Sequence, residues 1–144
     1  MKTILAITLA ACSTPLDAGP VVEHIDAALA ERGVGLGPEI RVDVRMGEPP
    51  NGWRGSTWCT DTECHVVVLN GHEEPYVVAH ELGHAMGLAH VMERWSVMSP
   101  WAPPMNAATA AKQLADLCAM RLVPCRRLAL VTPAGAERLP HLDE

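Results

Sequence analysis

Three histidines and a glutamate stand close together in HELGHAMGLAH, residues 80–90. His80 and His84 are one helical turn apart, so on a helix both imidazoles leave from the same face. Two such nitrogens can reach one zinc ion at roughly 2.0–2.1 Å, but two ligands do not complete a site. Gly87 stands where that helix should stop, and a glycine there readily takes the left-handed conformation that turns a chain sharply. The turn would let His90 approach the same ion from another direction. Three neutral nitrogens then leave a fourth position open for water, the arrangement of a catalytic rather than a structural zinc. Glu81, about 100° round the helix from His80, is placed to take a proton from that water and pass it to a leaving amine. The chemistry implied is hydrolysis assisted by a single zinc ion.

The elements that must position these residues follow from periodicity. Val22, Ile25 and Leu29 recur at helical spacing between Pro20 and Gly33, which suit the first turn and the stop. IRVDVRM, residues 40–46, alternates Ile40, Val42, Val44 and Met46 against Arg41, Asp43 and Arg45, as a half-buried strand does. EPPNGWRGS is a turn-rich loop. STWCTDTECHVVVLN reads as two strands flanking a cysteine-closed turn, with Val66 to Leu69 expected to be buried on both faces. The helix bearing the histidines runs from about Pro75 to Met86, with Val78, Leu82, Ala85 and Met86 on its apolar back. After a proline-broken stretch, AATAAKQLADLCAM from Ala107 is again helical. RRLALV is one further strand, followed by a polar tail.

The chain has 144 residues, which suits one domain with one modest core. Residues 1–11, MKTILAITLAA, have the charged start, short apolar run and small residues of a signal peptide, too short to span a bilayer. The small residues lead into Cys12 as LAAC, which resembles a bacterial lipobox. That resemblance implies cleavage before Cys12, a lipid anchor on it, and a tether over residues 12–19. The plain alternative is an ordinary secretory signal with a chance cysteine. Ser13 resembles the residue of lipoproteins sorted to the outer membrane, so an exported, envelope-bound location is expected. The net charge is −6 and no basic patch is present, which argues against a nucleic-acid partner. Export also bears on Cys59, Cys64, Cys118 and Cys125. In an oxidising compartment four cysteines suggest two disulfides with three possible connectivities. The local pairs are favoured, one across a hairpin turn and one stapling a helix end. A four-cysteine zinc site is the competing reading, with loose spacing.

HExxHxxGxxH resembles the metzincin clan of zinc endopeptidases. Five fixed residues at about one in twenty each arise by chance in a chain this long with probability on the order of 10⁻⁵ to 10⁻⁴. Met98 in SVMSP, followed by Pro100, is most similar to the methionine turn of the matrixin branch. The resemblance implies that Met98 forms an apolar floor beneath the zinc without binding it. No tyrosine follows Met98 by two residues, unlike the astacin and serralysin branches, and no glutamate is needed as third ligand, unlike the thermolysin-like clan.

The implied fold is α+β and zincin-like: a twisted, mostly parallel sheet with one antiparallel edge strand, an active-site helix and a small C-terminal lobe. Residues 20–144 would be one catalytic domain, 20–87 above the cleft and 88–144 below it. The strand that usually precedes the first helix is hard to find, since the tether occupies its place. No inhibitory prodomain, calcium loop or second zinc site is evident. In the family an extended substrate adds itself to the edge strand, here around residues 53–64. PWAPPMN would wall the specificity pocket, with Trp101 as lining residue or, alternatively, a core residue of the small lobe. Trp53, Trp58 and Trp95 are expected to pack, and the chain is expected to be monomeric. Two function classes stand: a zinc endopeptidase acting on protein or peptide substrates, and a non-catalytic zinc-binding surface lipoprotein serving adhesion or metal capture. Glu81 discriminates, because metal capture needs only the histidines.

Overall fold

Ile40, Val42 and Val44 are buried while Arg41 is exposed and Asp43 and Arg45 are half-buried, so the strand expected from IRVDVRM forms with one face inward. The computed structural model describes residues 13–131; the signal segment 1–11, Cys12 and the tail from 132, with His141, lie outside them. The described chain runs β1 (Thr14–Pro15), α1 (Gly19–Glu31), β2 (Glu39–Gly47), β3 (Gly55–Cys59), β4 (Glu63–Leu69), α2 (Pro75–Ala85), α3 (Ala107–Ala119) and β5 (Arg127–Leu130). The architecture is α+β, a mixed sheet with three α-helices.

The sheet order is β1-β2-β4-β3, with β5 also pairing with β2. Strands β4 and β5 run parallel to β2, and β3 runs antiparallel to β4 as an edge strand. A second antiparallel strand stands on the other side. Thr14 and Pro15 pair with Met46 and Arg45 of β2, so the strand missing from the sequence reading is present but two residues long. Leu16 extends the contact by donating its N–H to the Val44 carbonyl at 3.0 Å, and Ala18 is buried. The segment read as a polar tether therefore lies on the sheet from Thr14 onward.

Helix α1 packs on α3, while α2 lies against β3, β4 and α3. Ile25, Val42, Leu82, Met98 and Leu114 fill the layer between helices and sheet. The helices cover one face only. Val66 and Val68 are consequently buried but Val67 and Leu69 are half-buried, which corrects the expectation of two covered faces. Trp53, Trp58 and Trp95 do not pack in the core either: they are 61%, 48% and 77% exposed. Alanine and valine are the commonest residues of the core, and no indole enters it.

Both local disulfides form. Cys59 and Cys64, directly opposite across the β3–β4 hairpin, are bonded, and Cys118 is bonded to Cys125 at the end of α3. The second bridge holds a loop against the end of α2, since Arg126 donates its N–H to the Met86 carbonyl at 3.0 Å.

Gly83 is the tightest point of this packing. A methyl on it would collide with the Met98 thioether and lie 2.9 Å from Leu114 Cδ2. Overpacking of this kind costs about 1–3 kcal/mol. Gly83→Ala should lower the urea midpoint of unfolding accordingly; an unchanged midpoint would mean that Met98 and Leu114 are not packed as described.

Candidate metal centre

Helix α2 presents His80 and His84 to one side and ends in a left-handed turn. Gly87 has φ +104°, and the turn is closed by two hydrogen bonds, Gly87 N–H to the His84 carbonyl at 3.0 Å and Leu88 N–H to the Gly83 carbonyl at 2.9 Å. This crossed pair is the Schellman arrangement, in which a glycine takes the dihedral that other residues resist. The chain doubles back, and His90 returns to the helix. His90 Nε2 lies 3.3 Å from His80 Nε2, and one ring nitrogen from each of the three histidines falls within 4.8 Å of the other two. Two nitrogens bound to one tetrahedral ion at about 2.0–2.1 Å stand about 3.3 Å apart, so the cluster fits a zinc ion.

The other ring nitrogens fix which ones face the cluster. His80 Nδ1 sits 2.7 Å from the Val97 carbonyl, and His84 Nδ1 sits 2.9 Å from the Leu88 carbonyl. A carbonyl only accepts, so each Nδ1 carries the proton and each Nε2 keeps its lone pair for a metal. Burial lowers the His80 pKa to about 4, against the opposing hydrogen bond to Val97. Burial lowers His90 as well. Both shifts favour the neutral ring, the form in which an imidazole can bind a metal.

The Val97 carbonyl is itself held in place. Gln113 of α3 accepts the Val97 N–H at 2.6 Å and donates to the Trp95 carbonyl at 3.3 Å. Met98 follows, fully buried against Gly83, which stands on the helix between His80 and His84. Its backbone carbonyl accepts from Val91 at 3.1 Å, next to His90.

Glu81 is 5% exposed and leans on the edge strand. Thr57 Oγ1 lies 2.7 Å from Glu81 Oε1, and a methyl on Gly55 would sit 2.7 Å from Oε2. Only glycine at position 55 lets the carboxylate lie between α2 and β3. Burial raises the Glu81 pKa, opposed by the Thr57 hydrogen bond and by the charges of His90 and Arg54.

A cleft of about 690 Å³ runs over these groups, lined by the three histidines, Glu81, Gly55, Thr57 and Trp101 among others. Trp101 is 67% exposed, so it stands in the cleft wall and not in the core. Trp53 lines the cleft too, against expectation. Sequence reasoning passed over Gly55, Thr57 and Gln113. A small residue and a hydroxyl on the edge strand facing the metal helix could have been sought, whereas Gln113 carries no local signal. His24, on the exposed face of α1, and His65, beside Asp43 and Glu63 on β4, lie outside the cluster.

Gly87→Ala tests the turn. It places a side chain at φ +104° and 2.9 Å from Arg121 Nη1. A left-handed non-glycine residue costs about 1–3 kcal/mol. Stability should fall by that amount, and adding Arg121→Ala should recover little of it, because the flexible guanidinium can move and the dihedral cannot. Full recovery in the double variant would contradict this reading.

Among curated proteins and among solved structures, none matches the chain. The matrixin family model matches residues 48–121, just over half of the chain. That stretch carries β3, β4, α2, the turn at Gly87, Met98 and α3. With the zinc-compatible histidine cluster lying inside the matched region, the chain belongs to the matrixin family of metallopeptidases.

Proposed function

We propose that this chain is a zinc-dependent endopeptidase that hydrolyses peptide bonds in extended protein substrates. The observation that supports it most is the meeting of three imidazole nitrogens beside a buried carboxyl at a free sheet edge. The described elements are compatible with a zincin-like catalytic domain over residues 20–144, with its cleft between the part up to Gly87 and the part after it.

His80, His84 and His90 would hold the zinc through Nε2. When bound, zinc supplies a Lewis acid that polarises a peptide carbonyl and acidifies a water. Glu81 accepts a proton from the attacking water on its carboxylate and delivers it to the departing amine nitrogen. The Thr57 hydroxyl engages Oε1, fixing the carboxylate rotamer and leaving Oε2 for that exchange. The carbonyls of Val97 and Leu88 keep the His80 and His84 rings from rotating. Met98 underlies the centre as an apolar floor. The outer side of β3 offers unpaired backbone groups to which an extended peptide can add as a further strand. Trp101 forms one wall of the pocket for its side chains.

Location is part of the proposal. No helix among the described residues is long and apolar enough to cross a membrane. The LAAC sequence supports lipidation at Cys12, and β1 begins at Thr14, so the domain would sit close to an envelope membrane, the outer one by the serine at 13.

Glu81→Gln should lower kcat by about 10²–10⁴ on an unfolded-protein substrate while zinc stays bound at one ion per chain. Removing zinc with a chelator should abolish cleavage, and adding it back should restore it. If both versions are inert on a broad peptide library yet bind zinc, the non-catalytic metal-binding reading replaces this one. Cys12→Ser should move the protein from the membrane to the soluble fraction of the expressing cell; unchanged retention would remove the lipid anchor from the account.

A further inference from the structure

We propose that Arg54 is the substrate-selecting group of the cleft and that it takes a carboxylate of the bound peptide. The source of that carboxylate is an aspartate or glutamate side chain or a free C-terminus. The inference rests on the reading that the cleft binds an extended peptide, and it adds the chemical class of that peptide.

Arg54 stands immediately before β3, and its backbone carbonyl accepts from Leu69 N–H at 2.8 Å, which pins it at the head of the edge strand. Its neighbour Gly55 touches Glu81, so Arg54 lies one residue from the group assigned to proton transfer. The side chain is half-buried and lines the same cleft as the three histidines. Its charge reaches both Glu81 and His80. Nη1 donates to the Tyr76 hydroxyl at 2.9 Å, and the guanidinium lies 5.5 Å from the Tyr76 ring centroid. Tyr76 is 7% exposed in the first turn of α2, so it is a fixed pedestal.

What this guanidinium lacks is an anion in direct contact. Among the described residues, no carboxylate lies within ion-pair distance of Arg54, whereas Arg32 pairs with Glu31 and Asp116 and Arg45 pairs with Asp43. One neutral hydroxyl occupies one of the five N–H donors. A partly desolvated guanidinium without a carboxylate on its N–H groups is under-satisfied, and its planar fork matches a carboxylate in two parallel hydrogen bonds. The chain as a whole has 17 acidic against 11 basic residues, so its general field repels acidic peptides. An unpaired cation inside the cleft opposes that field at the one place where a substrate docks. Tyr76, having accepted from Arg54, retains its own O–H for the same ligand.

The test uses peptide libraries in matched pairs, identical except that every Asp and Glu in one member is Asn or Gln in the other. Each is made with a free and with an amidated C-terminus. Cleavage is followed with the zinc-loaded wild-type chain, and binding is followed by fluorescence anisotropy with zinc-loaded Glu81→Gln. The carboxylate peptides should be preferred by about tenfold or more, in KM and in binding. Arg54→Gln should erase the preference, and Arg54→Lys, which keeps the charge without the fork, should retain part of it. A preference for the Asp and Glu members over their Asn and Gln counterparts assigns the side chain, and a preference for the free over the amidated members assigns the terminus. Equal handling of all four kinds of peptide by the wild-type chain, or an undiminished preference in Arg54→Gln, would overturn the proposal. Cleavage without preference would leave the endopeptidase reading intact. Arg54-dependent binding without any cleavage would sustain the carboxylate site and remove the endopeptidase.

Discussion

The left-handed turn at Gly87 allows residues 88–90 to fold back on the helix that carries His80 and His84, and the metal centre depends on that reversal. Its two closing hydrogen bonds satisfy carbonyls that a helix end otherwise leaves open. The same turn orients a second ligand, because the Leu88 carbonyl it delivers is the acceptor for His84 Nδ1. One backbone dihedral thus sets the position of His90 and the tautomer of His84 together. Without the reversal the helix would offer two imidazoles and no third.

The rest of the fold serves to keep that small assembly from relaxing. Gln113 of α3 holds Val97, Val97 holds His80, and Met98 fills the space beneath Gly83. Arg126, following the Cys118–Cys125 bridge, is bonded to Met86 at the helix cap. On the opposite side the edge strand meets Glu81 through Gly55 and Thr57. Burying a carboxyl is unfavourable unless it gains a hydrogen bond, and the Thr57 hydroxyl provides one. Ligands locked by neighbours of this kind lose little freedom when a metal arrives. The open side of the assembly is the cleft, and Trp101, Trp53 and Arg54 line it.

Much of this was legible in the sequence because it is local. Spacing of four places His80 and His84 on one helix face, a glycine three residues on marks the turn, and strict alternation gives β2 its inward side. The two disulfides close short loops and were favoured on that ground. What escaped depends on contacts between distant segments. Gly55 and Thr57 matter only because β3 comes to lie beside α2, and Gln113 only because α3 crosses under the Val97 loop. The one-sided sheet was missed because a run such as HVVVL reads alike whether one face is covered or both. The exposed tryptophans were misjudged from composition, which says how few aromatics exist but not where they stand.

Zinc-edge X-ray absorption on the metal-loaded chain examines the three-imidazole centre most directly. Three imidazole nitrogens and one light atom from solvent are expected around the zinc at about 2.0–2.1 Å, with no sulfur. A shell with only two imidazoles, or one containing sulfur at about 2.3 Å, would contradict it, since either means that His90 does not complete the site or that the cysteines hold the metal instead.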